Sequence, residues 1–275
     1  MNDFIERKPQ DYVEILFYAK KLDIEVSAVH PPILAEENEF QNLENPDVQE
    51  ILLKACTLAQ NAAEIFNNKP IVVFHAGIRR NELKNYHSLR ETALAVFAEI
   101  LSKFPDVQIG LENIIPVTPK EKGFPAVRVN SFFGPAEIAE FLRKELSTGR
   151  IGTVLDTAHA IITINFLNFL KEHGLNTPIP TLKDYFTRYQ QTLKSVHLAY
   201  SIGLGYFPAA HGISFLVSDE GKNCLKEILN LYSRYGNSAL VVLEIIEKDY
   251  TDSRNFKEMF EHVKLFKTKE LHIQR

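Results

Sequence analysis

Residues 151–159 read IGTVLDTAH. Ile151–Asp156 is a short, nearly unbroken apolar run, too continuous to alternate between a wet face and a dry one. It therefore reads as a strand buried on both faces, the signature of a parallel sheet covered by helices. The run stops at Asp156, and His159 follows three residues later, so two groups able to bind a metal or carry a proton stand where the strand leaves the sheet. The same design recurs in Ile24–His30 (IEVSAVH), Ile71–His75 (IVVFH), Val107–Glu112 (VQIGLE), Ser195–Leu198 (SVHL) and Leu240–Glu244 (LVVLE).

Helix signals fill the intervals. Asn45-Pro46 sets a capping residue before a first-turn proline, predicting a helix through Phe66. Ser88 and Glu91 have capping-box spacing ahead of ALAVFAEIL. Gly134-Pro135 opens PAEIAEFLRKEL, and Gly149 can close it. LKDYFTRYQQTL, KNCLKEILNLYSRY and NFKEMFEHVKLF carry apolar residues at spacings near three and four. Strand–helix alternation over this length predicts a TIM-type (β/α) barrel or a doubly wound sheet, as one domain spanning residues 1–275. The stretch Ile115–Phe133, with three prolines, predicts a long loop.

Composition narrows the class. The 275 residues carry 31 Lys+Arg against 35 Asp+Glu, a net charge of -4, 45% hydrophobic residues and a mean hydropathy of -0.13. These are the values of a soluble globular chain, and they provide no broad basic field for nucleic acid. Cys56 and Cys224 form no CxxC pair and no disulfide framework, so a reducing, cytoplasmic setting is expected. The acidic, polar start MNDFIERKPQDYVE is unlike a secretory signal, and no apolar run approaches the ~20 residues of a membrane helix.

The informative feature is where ionisable residues fall. Each predicted strand carries a His, Asp or Glu at its end: His30, His75, Glu112, Asp156, His197 and Glu244; His159 and His211 lie just beyond strand ends. In a parallel barrel all strand C-termini share one rim, where active sites lie. The set contains carboxylates and imidazoles but no Lys or Arg, so divalent metal is the expected source of positive charge: Zn, Mn or Fe for imidazole, Mg or Mn for carboxylates. For any one of the eight, a cap or hydrogen-bonded loop role is an equal alternative; the argument rests on their joint placement. His87, His173, His262 and His272 lie in helical or exposed patterns and read as solvated. Gly203 and Gly205 read as a turn, Tyr185, Phe186 and Tyr189 as helix packing, and Lys120–Lys122 is too small for a nucleic-acid patch.

These motifs resemble the xylose isomerase-like TIM barrels, in particular apurinic endonuclease family 2, the endonuclease IV type. LDTAH (Leu155–His159) is similar to that family's Asp-Thr-Cys/Ala-His metal motif, FHAG (Phe74–Gly77) to its His-Pro-Gly, LEN (Leu111–Asn113) to its bridging-glutamate strand, and VHL (Val196–Leu198) and LE (Leu243–Glu244) to its last two ligand strands. The resemblance spans roughly residues 24–245. It implies that His30, His75, Glu112, Asp156, His159, His197, His211 and Glu244 supply eight of nine ligands to a three-metal site. Ala209 occupies the place of the ninth, an Asp. Ala199-Tyr200 replaces an Asn-Asp pair, and Ile33 stands where a DNA-stacking tyrosine would be. A helix over Asp11–Leu22 is predicted where the third barrel strand is due, so the first two strands are lacking or replaced; an open edge would favour a homodimer.

The resemblance implies three functions. The first is a metal-dependent hydrolase of a phosphate ester, with Glu112 bridging metals that activate water and Asp156 and His159 holding the cluster. DNA is disfavoured as its substrate by Ile33, the missing strands and the net charge. The second is a sugar or sugar-phosphate isomerase or epimerase, with one metal on Glu112, Asp156, His197 and Glu244, the two glutamates moving protons and His159 touching a hydroxyl. The third is a non-catalytic binding member of the family.

Overall fold

The computed structural model describes residues 9–31, 43–76, 78–79, 86–115, 128–129, 134–174, 178–203, 212–236, 238–247 and 251–273. Six strands form one sheet in the order β1 (Ala28–Val29), β2 (Ile71–His75), β4 (Gln108–Glu112), β6 (Ile151–Asp156), β7 (Leu193–Leu198) and β8 (Leu240–Leu243). The pairings of β1 with β2, β2 with β4, β4 with β6 and β7 with β8 are parallel. Every residue of β2 and of β6 is buried, as their unbroken apolar runs predict. None of the described helices is long and apolar enough to cross a membrane.

The chain divides into two compact units, residues 1–114 with 127–154 and residues 115–126 with 155–275. In the first, helix α1 (Pro9–Lys21) stands where the sequence predicts it, and α2 (Pro46–Phe66) is capped by the Asn45 side chain, which accepts from the Asp47 N–H at 3.0 Å. The inward face of α2 is lined with Ala55, Cys56, Ala59, Ala62 and Ala63, all buried. β4 carries Gly110 because a Cβ there would lie 2.5 Å from Val154 Cγ2 and 2.9 Å from Ile71 Cγ2. The core gathers Phe74, Phe97, Ile109, Leu111, Ile138, Leu142 and Ile151 beneath α3 (Tyr86–Lys103) and α4 (Gly134–Glu145).

Four expectations are corrected in this unit. The first strand is Ala28–Val29, not Ile24–His30: Ile24 is 54% exposed, so the start of that run has no buried face to hold it. Ser88 does not cap a helix, because α3 already begins at Tyr86; its hydroxyl donates to Glu44 Oε1 at 2.7 Å. Gly149 does not close α4. Ser147, at φ 47°, makes the left-handed turn, with the Thr148 N–H donating to Arg143 O. Within Ile115–Phe133, Arg128–Val129 (β5) pairs antiparallel with Ile78–Arg79 (β3), so that stretch is not loop throughout.

In the second unit, α5 (Thr157–Glu172) starts directly at the end of β6, and α6 (Leu182–Tyr189) is opened by a Thr181–Asp184 capping box. Tyr185, Phe186 and Tyr189 are fully buried, which is helix packing as predicted. α7 (Asp219–Tyr235) precedes β8, and α8 (Arg254–Ile273) follows it. Past the end of β7, Tyr200 and Ile213 exchange backbone hydrogen bonds, and Gly212, at φ 74°, accepts from the Ile246 N–H at 2.8 Å. A Cβ on Gly212 would come within 2.8 Å of Ile246 Cγ1, so the left-handed conformation and the close approach both select glycine.

Candidate metal centre

Seven of the eight candidate ligands lie among the described residues; His211 lies outside them, as do Ile33 and Ala209. All seven stand at or just past the C-terminal ends of strands. His75, Glu112 and Asp156 are the last residues of β2, β4 and β6, and His197 is the last but one of β7. His30 and Glu244 come one residue after β1 and β8, and His159 is in the first turn of α5. The registers set this alignment in the first unit, where His75 pairs with Glu112 across the ladder.

The first unit brings together His30, His75 and Glu112, with one donor atom from each lying within 4.8 Å of the others. Glu112 Oε2 is 3.2 Å from His30 Nε2 and 3.1 Å from His75 Nε2. The two rings meet edge to face, 5.3 Å between centroids. His75 and Glu112 are buried, whereas His30 is exposed and reaches the outside. His30 Nδ1 lies 2.9 Å from Pro31 O. A carbonyl only accepts, so the proton belongs on Nδ1, and in the neutral ring the Nε2 lone pair faces the carboxylate. A lone pair cannot bond a carboxylate oxygen directly: either a proton or a cation must stand between them. A carbonyl-anchored imidazole presenting its other nitrogen is the usual posture of a metal-ligating histidine, and so the donor set fits a divalent ion.

The second unit brings together Asp156, His197 and Glu244, again with donor atoms within 4.8 Å of one another. His197 Nδ1 is 3.2 Å from Glu244 Oε2; the His197 side chain is buried, and that of Glu244 is 39% exposed. Asp156 is fully buried and serves as the N-cap of α5, its Oδ1 accepting from the His159 N–H at 2.6 Å. The partial positive charge of a helix N-terminus favours the ionised carboxylate there. His159 Nδ1 stands 3.8 Å from the same Oδ1. Asp156, His197 and Glu244 offer two carboxylates and an imidazole, with no Lys or Arg among them, a donor set compatible with a divalent cation, and His159 stands beside them.

Of the histidines set aside, His173 caps the C-terminus of α5, its Nδ1 2.8 Å from Phe169 O, and His262 is exposed on α8. One residue inside the LDTAH motif has a role that the sequence does not assign. Thr157, fully buried, has its hydroxyl 2.7 Å from Ala199 O, 3.0 Å from His197 O and 3.1 Å from Ala199 N. The signal was its place between a strand-end carboxylate and a helix.

Comparison with known proteins defines the fold. No family model matches the chain, and no curated protein matches it. Among solved structures, it is similar to a D-tagatose 3-epimerase-like protein, with a TM-score of 0.63 at 16% identity, covering 96% of this chain and 86% of that one. It is similar to a xylose isomerase domain protein from Planctomyces limnophilus, with a TM-score of 0.59 at 11% identity, covering 96% and 84%. It is also similar to the IOLI protein with a bound zinc atom, with a TM-score of 0.57 at 15% identity, covering 98% and 83%. Parallel strands interleaved with helices, ligand residues at the strand C-termini and these likenesses agree: the chain has the fold of the xylose isomerase-like TIM barrels.

Proposed function

We propose that the chain is a divalent-metal-dependent isomerase or epimerase acting on a small sugar or sugar phosphate. The observation that carries this reading is the cluster of Asp156, His197 and Glu244, with donor atoms within 4.8 Å of one another at the ends of β6, β7 and β8. In the proposal Glu112 joins them as the fourth ligand. The likeness to an epimerase-like protein and to a zinc-bound relative supports the choice of reaction class. A bound divalent ion would polarise a substrate carbonyl and make the neighbouring C–H acidic. Glu112 and Glu244 would then take the proton from one carbon and return it, and His159 would hold a substrate hydroxyl. Buried Asp156 and His197 would keep the centre rigid and dry.

The test is metal quantification on chain purified without chelator, paired with solvent deuterium uptake by a panel of ketoses. One equivalent of metal and exchange at the carbon beside the carbonyl are expected. A chain with no metal and no exchange would end the proposal.

A second reading is favoured by a specific observation, the His30–His75–Glu112 set, which a single-metal quartet does not require. In that reading the centre holds up to three ions and cleaves a phosphate ester. Three equivalents of metal, with release of phosphate from a small ester and no carbon-bound exchange, would decide for it.

A further inference from the structure

At Thr157 the sheet runs out of backbone partners. β6 ends at Asp156 and turns at once into α5, whereas β7 continues to Leu198 and then Ala199. The next rung of the ladder would need an extended residue beyond Asp156, and a helical residue stands there. The Thr157 hydroxyl occupies that rung. It accepts from the Ala199 N–H at 3.1 Å and has two acceptors for its own proton, Ala199 O at 2.7 Å and His197 O at 3.0 Å. On the other side of the same segment, Leu198 O accepts from the Glu244 N–H at 3.1 Å. One buried hydroxyl thus ties the residue that follows Asp156 to the peptides that flank His197 and lead on to Glu244.

We infer that Thr157 is a positioning residue for the centre, holding the strand end that carries His197 in register with Asp156 so that their donor atoms converge on one cation. The inference rests on the metal reading proposed above. It assigns Thr157 no contact with metal or substrate. Thr157→Val keeps the shape of the side chain and removes the hydrogen bonds, whereas Thr157→Ser keeps the hydroxyl.

The experiment titrates zinc(II), and separately manganese(II), into the full chain after chelator treatment, following heat by calorimetry. Thr157→Val is expected to bind about 10- to 100-fold more weakly than wild type, the range found when an outer partner of a ligand is lost. Thr157→Ser is expected to bind as wild type does. Leu142→Ala, a fully buried position in the other unit, controls for general loss of stability and is expected to keep wild-type affinity. Wild-type affinity in Thr157→Val overturns the inference and leaves the metal reading standing. So does an equal loss in Leu142→Ala. A wild-type chain that binds neither ion removes both. Should Thr157→Val fail to fold, amide exchange on the wild-type chain decides: the Ala199 N–H is expected to exchange more slowly once metal is bound, and an unchanged rate overturns the inference.

Discussion

Glu112→Gln isolates the charge of a buried candidate ligand. Glutamine has the size of glutamate, so the packing around a side chain only 1% exposed is kept, and what disappears is the negative charge between His30 Nε2 and His75 Nε2. A ligand that binds the native state alone stabilises it by RT ln(1 + [L]/Kd), about 2.7 kcal/mol at a concentration 100 times Kd. At roughly 2–4 °C per kcal/mol for a chain of this size, the wild type should gain about 5–11 °C in Tm under that condition. Loss of a ligand's charge should cost at least the ~100-fold that loss of a mere outer partner can cost. The same metal concentration then only equals Kd, and the remaining stabilisation is about 0.4 kcal/mol, or roughly 1–2 °C. Differential scanning calorimetry with and without zinc(II) reads the difference directly. A variant that keeps the full wild-type shift would refute the placement of Glu112 in the centre, and a wild type that gains nothing would refute the centre itself.

Three further outcomes are expected. Arg150 donates to the carbonyls of Phe104, Pro105 and Val107 at 2.6, 2.9 and 3.4 Å and to that of Leu101, closing the end of α3; Arg150→Met should cost about 1.5–3 kcal/mol in denaturant unfolding, and a loss below about 0.5 kcal/mol contradicts that role. Burial pushes both the Cys56 and Cys224 thiols up to about 12, so neither should react with a thiol reagent at pH 8 until the chain is unfolded, and rapid native labelling of either would contradict its placement. The hydrogen bonds from Thr181 hold the Asp184 carboxyl below its ordinary 3.8, so the stabilisation it provides is present above pH ~4 and is lost as the pH falls through the depressed value; the stability gap between wild type and Asp184→Asn should close in acid, and a gap that widens there contradicts the cap.

The strands that could be read from the sequence are those buried on both faces. IVVFH and IGTVLD occupy β2 and β6 residue for residue, because a parallel strand covered on both faces accommodates short β-branched apolar runs of this length. The parallel register of β2 with β4 makes the last residues of those two strands, His75 and Glu112, neighbours; the sequence placed both at strand ends without pairing them. Features that depend on long-range partners were not legible. IEVSAVH has the composition of a strand, yet only Ala28 and Val29 find β2. Ser88 satisfies a local capping rule, but the helix starts two residues earlier and a distant carboxylate takes its hydroxyl. The β3–β5 pair joins two-residue segments about fifty positions apart with no apolar pattern to announce them. Thr157 stands inside LDTAH, but its role could not be read there, because a threonine's worth as a hydrogen-bond bridge depends on which backbone passes it, and residues 197–199 are about forty positions away.

Asp156 shows why strand C-termini make such sites. The change from strand to helix leaves the first helical N–H groups without partners, and an aspartate at the last strand position is among the side chains that satisfy them well. Asp156 answers the His159 N–H with Oδ1, so its rotamer is set by the helix and not by any ligand. A carboxylate held in advance loses little entropy when an ion arrives, and its burial protects the resulting charges from water. The requirement that builds the fold, an acceptor at the strand–helix junction, and the requirement of the centre, an anion on a rigid stem, are met by one side chain. Thr157 extends the same economy by one residue, filling a missing rung of the sheet while holding the strand end that carries His197.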